Sequence, residues 1–183
     1  MVLIEDKLDI IRYISTFLNK PLNDETIRTV VNLWYYNQEE CIKIYGHISD
    51  WNVFNVTNMR DLFYKCYNFN EDISRWKVDN VKNMSGMFYK AYKFNKPLEN
   101  WNTSNVEDMS TMFHKAGNFN QPLNNWNVTK VYNMNSMFYR ADNFNQPLDK
   151  WNVSNVRTMT SMFERAKNFK QSLESWDTSK LFV

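Results

Sequence analysis

Apolar residues recur along this chain with a period of 25 from Trp51 onward. Trp51, Trp76, Trp101, Trp126, Trp151 and Trp176 mark the unit, and no insertion or deletion separates them. Counting from Trp, the third position holds Val53, Val78, Thr103, Val128, Val153 and Thr178, and the sixth runs from Val56 to Leu181. The ninth is Met59, Met84, Met109, Met134 and Met159, followed by the pairs Leu62-Phe63, Met87-Phe88, Met112-Phe113, Met137-Phe138 and Met162-Phe163. A small residue comes next (Cys66, Ala91, Ala116, Ala141, Ala166), then Phe69, Phe94, Phe119, Phe144 and Phe169, and last Ile73, Leu98, Leu123, Leu148 and Leu173. These steps fit neither one helix nor one strand. They fit a coil whose successive short sides each turn a residue inward, with neighbouring coils stacking to bury what a single unit cannot.

Within the unit, Met-x-x-Met-Phe-x-x-Ala places apolar groups at i, i+3, i+4 and i+7, which predicts about two helical turns. Asn58, Asn83, Asp108, Asn133 and Thr158 stand where a helix N-cap oxygen is wanted. The stretch from Phe to Trp predicts a short strand near Leu and Trp, with an extended loop through the two valines. The period lies in the 20–29 range of leucine-rich repeats. The expected fold is therefore an α/β solenoid: a leucine-rich-repeat-like right-handed coil of short parallel strands and short helices.

Two segments carry a more specific likeness. Phe-Asn-Gln-Pro-Leu-Asn-Asn-Trp-Asn-Val at 119–128 and Trp-Asn-Val-Ser-Asn-Val-x-x-Met-x-x-Met-Phe at 151–163 resemble the BspA-like leucine-rich surface-protein repeat. That repeat is known from mycoplasma-type lipoproteins and from large DNA viruses. The resemblance covers 51–183, with Tyr45-Gly-His-Ile-Ser-Asp-Trp51 similar to its usual lead-in. It implies a solenoid, frequently at surfaces, with adhesive or binding roles, and it supplies no catalytic residues.

Residues 1–50 do not repeat and read as a helical N-terminal cap on a 51–183 array of five units and a partial sixth. Ile10, Ile11, Ile14, Phe17 and Leu18 share one face of a helix that ends before Pro21. Asn23 or Asp24 caps a second helix with Ile27, Val30, Val31 and Trp34 inward. Asn37-Gln-Glu-Glu40 opens a third by a capping-box variant, and Gly46 stops it. The cap carries five basic and eight acidic residues, the array seventeen and twelve. The partial sixth unit makes Leu181, Phe182 and Val183 a candidate end-docking surface, for a partner or for end-to-end self-association.

Stacking turns equivalent positions into rows. Lys65, Lys90, Lys115, Arg140 and Arg165 form a cationic row, a stripe roughly 20 Å long at strand spacing. Tyr64, Tyr89, His114 and Tyr139 stand beside it and Glu164 ends their row. Cations interleaved with aromatics suit phosphate backbones and stacked bases. Equally, cations near helix ends complement a dipole, and Asp61, Asp142 and Glu164 are placed to neutralise parts of the row. Rows of Asn (Asn55, Asn80, Asn105, Asn155; Asn70, Asn95, Asn120, Asn145) are expected to hydrogen-bond coil to coil.

Composition narrows the chemistry. Three Gly leave little for phosphate-cradling loops, and two Cys with two His exclude a disulfide framework or a four-thiolate zinc site. No nucleotide, zinc or nucleophile-elbow motif is present, and no cofactor is called for. The N-terminus lacks an uninterrupted apolar run, and no window approaches a membrane span, which predicts a soluble intracellular protein; the family resemblance gives a cell or particle surface instead. The expected function is a non-catalytic scaffold that binds another protein through its solenoid face or its last coil. Polyanion or nucleic-acid binding by the cationic row is the second expectation, and end-to-end assembly the third.

Overall fold

The computed structural model describes residues 21–182. The expected helix through Ile10, Ile11, Ile14, Phe17 and Leu18 lies outside these residues, as does Val183. Among the described residues two short α-helices form, α1 (Thr26–Tyr36) and α2 (Gln38–Tyr45), followed by a 3₁₀ turn at Ile48–Asp50. The apolar face of α1 is buried through Ile27, Val30, Val31 and Trp34. The Asn37 side chain caps α2 by accepting from Glu40 N–H at 3.2 Å, and Gly46 ends it at φ +73°. Asn23 accepts from Thr26 N–H at 2.9 Å, whereas Asp24 turns away from the helix toward the repeats.

From Trp51 onward the expected α/β architecture is overturned. Among the described residues no helix and no strand forms in the repeats, and the only sheet-like pairing is a chain of isolated parallel bridges, Asn58 to Asn83 to Asp108 to Asn133 to Thr158. The leucine-rich-repeat-like solenoid of strands and helices is therefore not what this sequence builds. Each unit is a coil of turns.

The reason lies in where the backbone donors go. In the first coil Leu62, Tyr64 and Cys66 N–H close local turns onto Met59, Asp61 and Phe63 carbonyls at 3.0–3.2 Å. The alternate residues Met59, Asp61, Phe63 and Lys65 instead donate to Asn83, Ser85, Met87 and Tyr89 of the next coil at 2.7–2.9 Å. A helix would need both sets for its own i−4 carbonyls. The alternation also requires left-handed backbone: Asp61, Thr111, Ser136 and Ser161 have φ of 52–56°, with Gly86 at the equivalent place at 62°. Lys65, Lys90, Lys115, Arg140 and Arg165 repeat this at φ 54–62°. A left-handed residue every fourth position forbids helix propagation, so the 3.6-like apolar pattern is satisfied by turns instead. Asn58, Asn83, Asp108 and Asn133, expected as helix caps, close Asx turns onto the N–H two residues on, at 2.8–3.1 Å.

The inward assignments place the core. Met59, Met84, Phe88, Met109, Phe113, Phe119, Met134 and Phe138 are fully buried. Phe113 and Phe119 stack within one coil at 4.0 Å, and Phe113 stacks on Phe88 and Phe138 of its neighbours at 5.5 Å. Each such ring contributes about 1.5–3 kcal/mol by leaving water. The tryptophans add a polar staple: Trp76, Trp101, Trp126, Trp151 and Trp176 Nε1–H donate to the carbonyls of Ile48, Ile73, Leu98, Leu123 and Leu148 at 2.8–3.2 Å. Thr103, buried in a valine slot, donates its hydroxyl to Asn127 O at 3.0 Å. Asn95, Asn120 and Asn145 N–H each donate to the amide oxygen of the preceding Asn at 2.9–3.0 Å. The Asn rows thus bind coil to coil, largely through backbone.

Helix α1 covers the first coil. Asp24 accepts from Thr57 N–H and Oγ1–H at 2.7 Å and from Asn58 N–H at 2.9 Å. Arg28 donates to Arg60 O at 2.7 Å and Asn58 O at 3.5 Å. One carboxylate and one guanidinium thus occupy edge groups that a preceding coil would have used.

Candidate binding face

The cationic row is formed by backbone geometry. Each cation occupies the second left-handed position of its coil, and Lys65, Lys90, Lys115 and Arg140 donate their N–H to the coil above, as Lys65 does to Tyr89 O (2.7 Å) and Lys115 to Tyr139 O (2.7 Å). These bonds fix the row in register. The left-handed turn replaces the helix C-terminus expected there, so a helix dipole is not what these cations complement.

Beside them the rings stack face to face: Tyr64 on Tyr89 at 4.8 Å, Tyr89 on His114 at 4.5 Å, His114 on Tyr139 at 4.6 Å, with planes within 20°. Lys65, Lys90 and Arg140 lie over their own neighbouring Tyr rings at 4.9, 5.6 and 5.9 Å, close enough for cation–π attraction. The row is therefore an aromatic column with a cationic margin, and its interior ring faces are used up by one another.

Charge along it is poorly neutralised. Among the described residues, Lys65, Lys90, Lys115 and Arg140 have no carboxylate within 4.0 Å, and only Arg165 is paired, with Glu164 at 3.6 Å. Asp61 pairs with Arg60 at 3.4 Å and Asp142 with Lys167 at 3.6 Å, so two of the three acids expected to quench the row are engaged elsewhere. Desolvation lowers the pKa of Lys115, and the charges of Lys90, Arg140 and Arg165 lower it further. Burial pushes His114 down to about 4, with Lys115, Lys90 and Arg140 adding to the effect, and its Nδ1 is buried without a hydrogen-bond partner among the described residues. His114 is thus a neutral ring in the column at pH 7.

The remaining candidates fall out differently. Leu181 is half-buried against the core, and Phe182 is 74% exposed while its N–H donates to Arg157 O at 2.8 Å. Burial raises the thiols of Cys41 and Cys66 to about 11. Among the described residues no group of three or more His, Cys, Asp or Glu could hold a metal ion, and no helix is long and apolar enough to cross a membrane.

Two features escaped the sequence reading. Tyr67 and Tyr92 form a second exposed stack at 5.2 Å, visible in hindsight as Tyr at the same place in two successive units. A groove of about 490 Å³ lies between Lys130, Arg157 and Lys180. Its sequence signals are Lys where other units have Asn, and the unlike residues Glu107, Tyr132 and Arg157 at one place of successive units.

No curated protein and no solved structure matches the chain. A family model does match, over residues 31–147 and again over 97–182, two overlapping runs that reflect the 25-residue repeat and together take in the second half of α1 and all of α2 as well as the coils. The chain belongs to the family described as Mycoplasma protein of unknown function, DUF285.

Proposed function

We propose that this protein is a non-catalytic binding scaffold whose cationic row receives an acidic segment of another protein. The observation that carries the reading is the set of four row cations with no carboxylate partner among the described residues, held in register by backbone hydrogen bonds. Like charges at coil spacing repel, and nothing in the core needs them there. An extended acidic segment laid along the row would relieve that repulsion and bring several partners at once. Likeness to surface-protein repeats with binding roles points the same way.

Nucleic acid is the weaker occupant. Phosphates would meet the cations equally well, but base recognition on single strands relies on free aromatic faces. The interior faces of the Tyr64–Tyr139 column are already stacked on one another. End-to-end assembly is weaker still, because Asp24 and Arg28 occupy edge groups of the first coil that an incoming coil would require.

The test is titration of a labelled oligoglutamate peptide and a labelled oligothymidylate against wild type and a Lys90→Glu/Lys115→Glu/Arg140→Glu variant, at about 50 and about 200 mM salt. The proposal expects the peptide to bind wild type and to lose at least about tenfold affinity in the variant. Equal peptide binding by the two proteins overturns it, and tighter binding of the oligothymidylate reassigns the row to nucleic acid.

A further inference from the structure

We propose that the groove spanning the third to sixth units binds a small multivalent oxyanion of the phosphate class. It lies at different positions of the repeat from the cationic row and shares no residue with it. In the fifth position of the unit most coils carry Asn, and Asn80, Asn105 and Asn155 donate Nδ2–H to carbonyls of the preceding coil at 2.8 Å. Lys130 and Lys180 replace Asn in that row. Their ammonium groups donate instead to the amide oxygens of Asn105 at 2.7 Å and Asn155 at 3.1 Å.

That substitution has a chemical consequence. A neutral amide oxygen positions an ammonium without cancelling its charge, and each ammonium has further N–H donors to offer. Arg157 lines the same groove, and among the described residues its guanidinium makes no hydrogen bond or ion pair. A guanidinium fork suits the paired oxygens of a phosphate. Glu107 is the one carboxylate of the lining, so three cations face one acid. The volume of about 490 Å³ falls in the ordinary range for small-molecule sites. Tyr132, 43% exposed, lines the groove and could flank a ligand's organic part. A single monoanion would leave charge unmatched; a di- or triphosphate group would match it.

Isothermal titration with pyrophosphate, tripolyphosphate and citrate tests this on wild type and on Arg157→Ala, Lys130→Ala and Lys115→Ala variants. Lys130 and Arg157 are exposed, so their truncation leaves the core intact, and equal urea midpoints confirm it. The expected result is saturable one-to-one binding of tripolyphosphate, weakened at least about tenfold in Arg157→Ala and Lys130→Ala and unchanged in Lys115→Ala. Absence of saturable binding, or an equal loss in Lys115→Ala, overturns the site and leaves only the general field of the cationic row. Citrate binding more tightly than tripolyphosphate overturns the phosphate assignment. Because Lys115 belongs to the row and not to the groove, failure here is distinguishable from failure of the acidic-partner reading.

Discussion

Replacing Trp126 by Phe isolates what the indole N–H contributes to the stack. Trp126 is 3% exposed, and its Nε1–H donates at 2.8 Å to the carbonyl of Leu98, itself fully buried. Phenylalanine keeps an aromatic ring in the slot but removes that donor. An orphaned buried carbonyl costs about 1–3 kcal/mol. The lost part of the indole, stacked on Trp101 at 6.4 Å with planes 2° apart, costs roughly another 1–2 kcal/mol in burial. The expected loss is therefore about 2–5 kcal/mol, comparable to the ~3–5 kcal/mol expected for Trp126→Ala. Urea unfolding followed by fluorescence of the remaining tryptophans measures both variants, provided their denaturant slopes agree. Repeat arrays can open in parts, so amide exchange at Met109 and Met134, which donate to Asn133 O and Thr158 O, shows where the loss is felt. A Trp126→Phe cost no greater than that lost burial alone, about 1–2 kcal/mol, beside a large Trp126→Ala cost refutes the staple: the tryptophans would then act by bulk alone.

Three further outcomes follow from the same geometry. Thr111 is β-branched at φ 54°, so Thr111→Gly should relieve about 1–2 kcal/mol of strain against a backbone entropy cost of about 0.5–1 kcal/mol, leaving the urea midpoint equal or higher; a clear fall would show that the left-handed turn is not strained. His114 is held neutral in the folded state down to about 4, while the unfolded chain takes up its proton near 6.5. Stability from this group is complete above about pH 6.5 and is lost as pH falls toward about 4, on the order of 1 kcal/mol after solvent screening, and a His114→Tyr variant should lack that slope in parallel melts. Asp24→Ala removes a carboxylate that accepts from Thr57 and Asn58, so it should cost about 1.5–3 kcal/mol and speed amide exchange at those two residues before any other coil; uniform exchange across the repeats would reject a capping role.

Much of the inward register was legible because it depends only on period. Phe113, Met134 and Trp126 recur without an indel, and burial follows from recurrence whatever backbone joins them. The backbone itself was not legible. Met-x-x-Met-Phe-x-x-Ala has a helix's spacing, and nothing in Thr111, Ser136, Lys115 or Arg140 announces positive φ, since none of these residues prefers it. Only Gly86, standing once in that column, hinted that the position is left-handed. Asn23 and Asp24 were equally placed to cap the helix by local spacing; Asn23 takes that role, and the partners of Asp24, Thr57 and Asn58, are more than thirty residues away. In the candidate face, the row of cations was visible as a column of Lys and Arg. Its stacked rings and its missing counter-charges depend on side-chain directions that spacing alone does not set.

The alternating bonds of each coil also give the stack an electrical sense. In the second coil Met84, Gly86, Phe88 and Lys90 all send their N–H toward the third, whereas Lys82, Asn83 and Lys93, elsewhere in the coil, send theirs back toward the first, as Asn95 does onto the Asn70 side chain. Peptide dipoles aligned in one direction add, as they do along a helix axis. The four forward bonds lie together in the segment that ends at Lys90, so beside the cationic row the local peptide dipoles point their positive ends toward the later coils. An anionic chain approaching this face would meet a slope rather than a uniform stripe, and its two possible orientations would differ in energy before any side chain made contact.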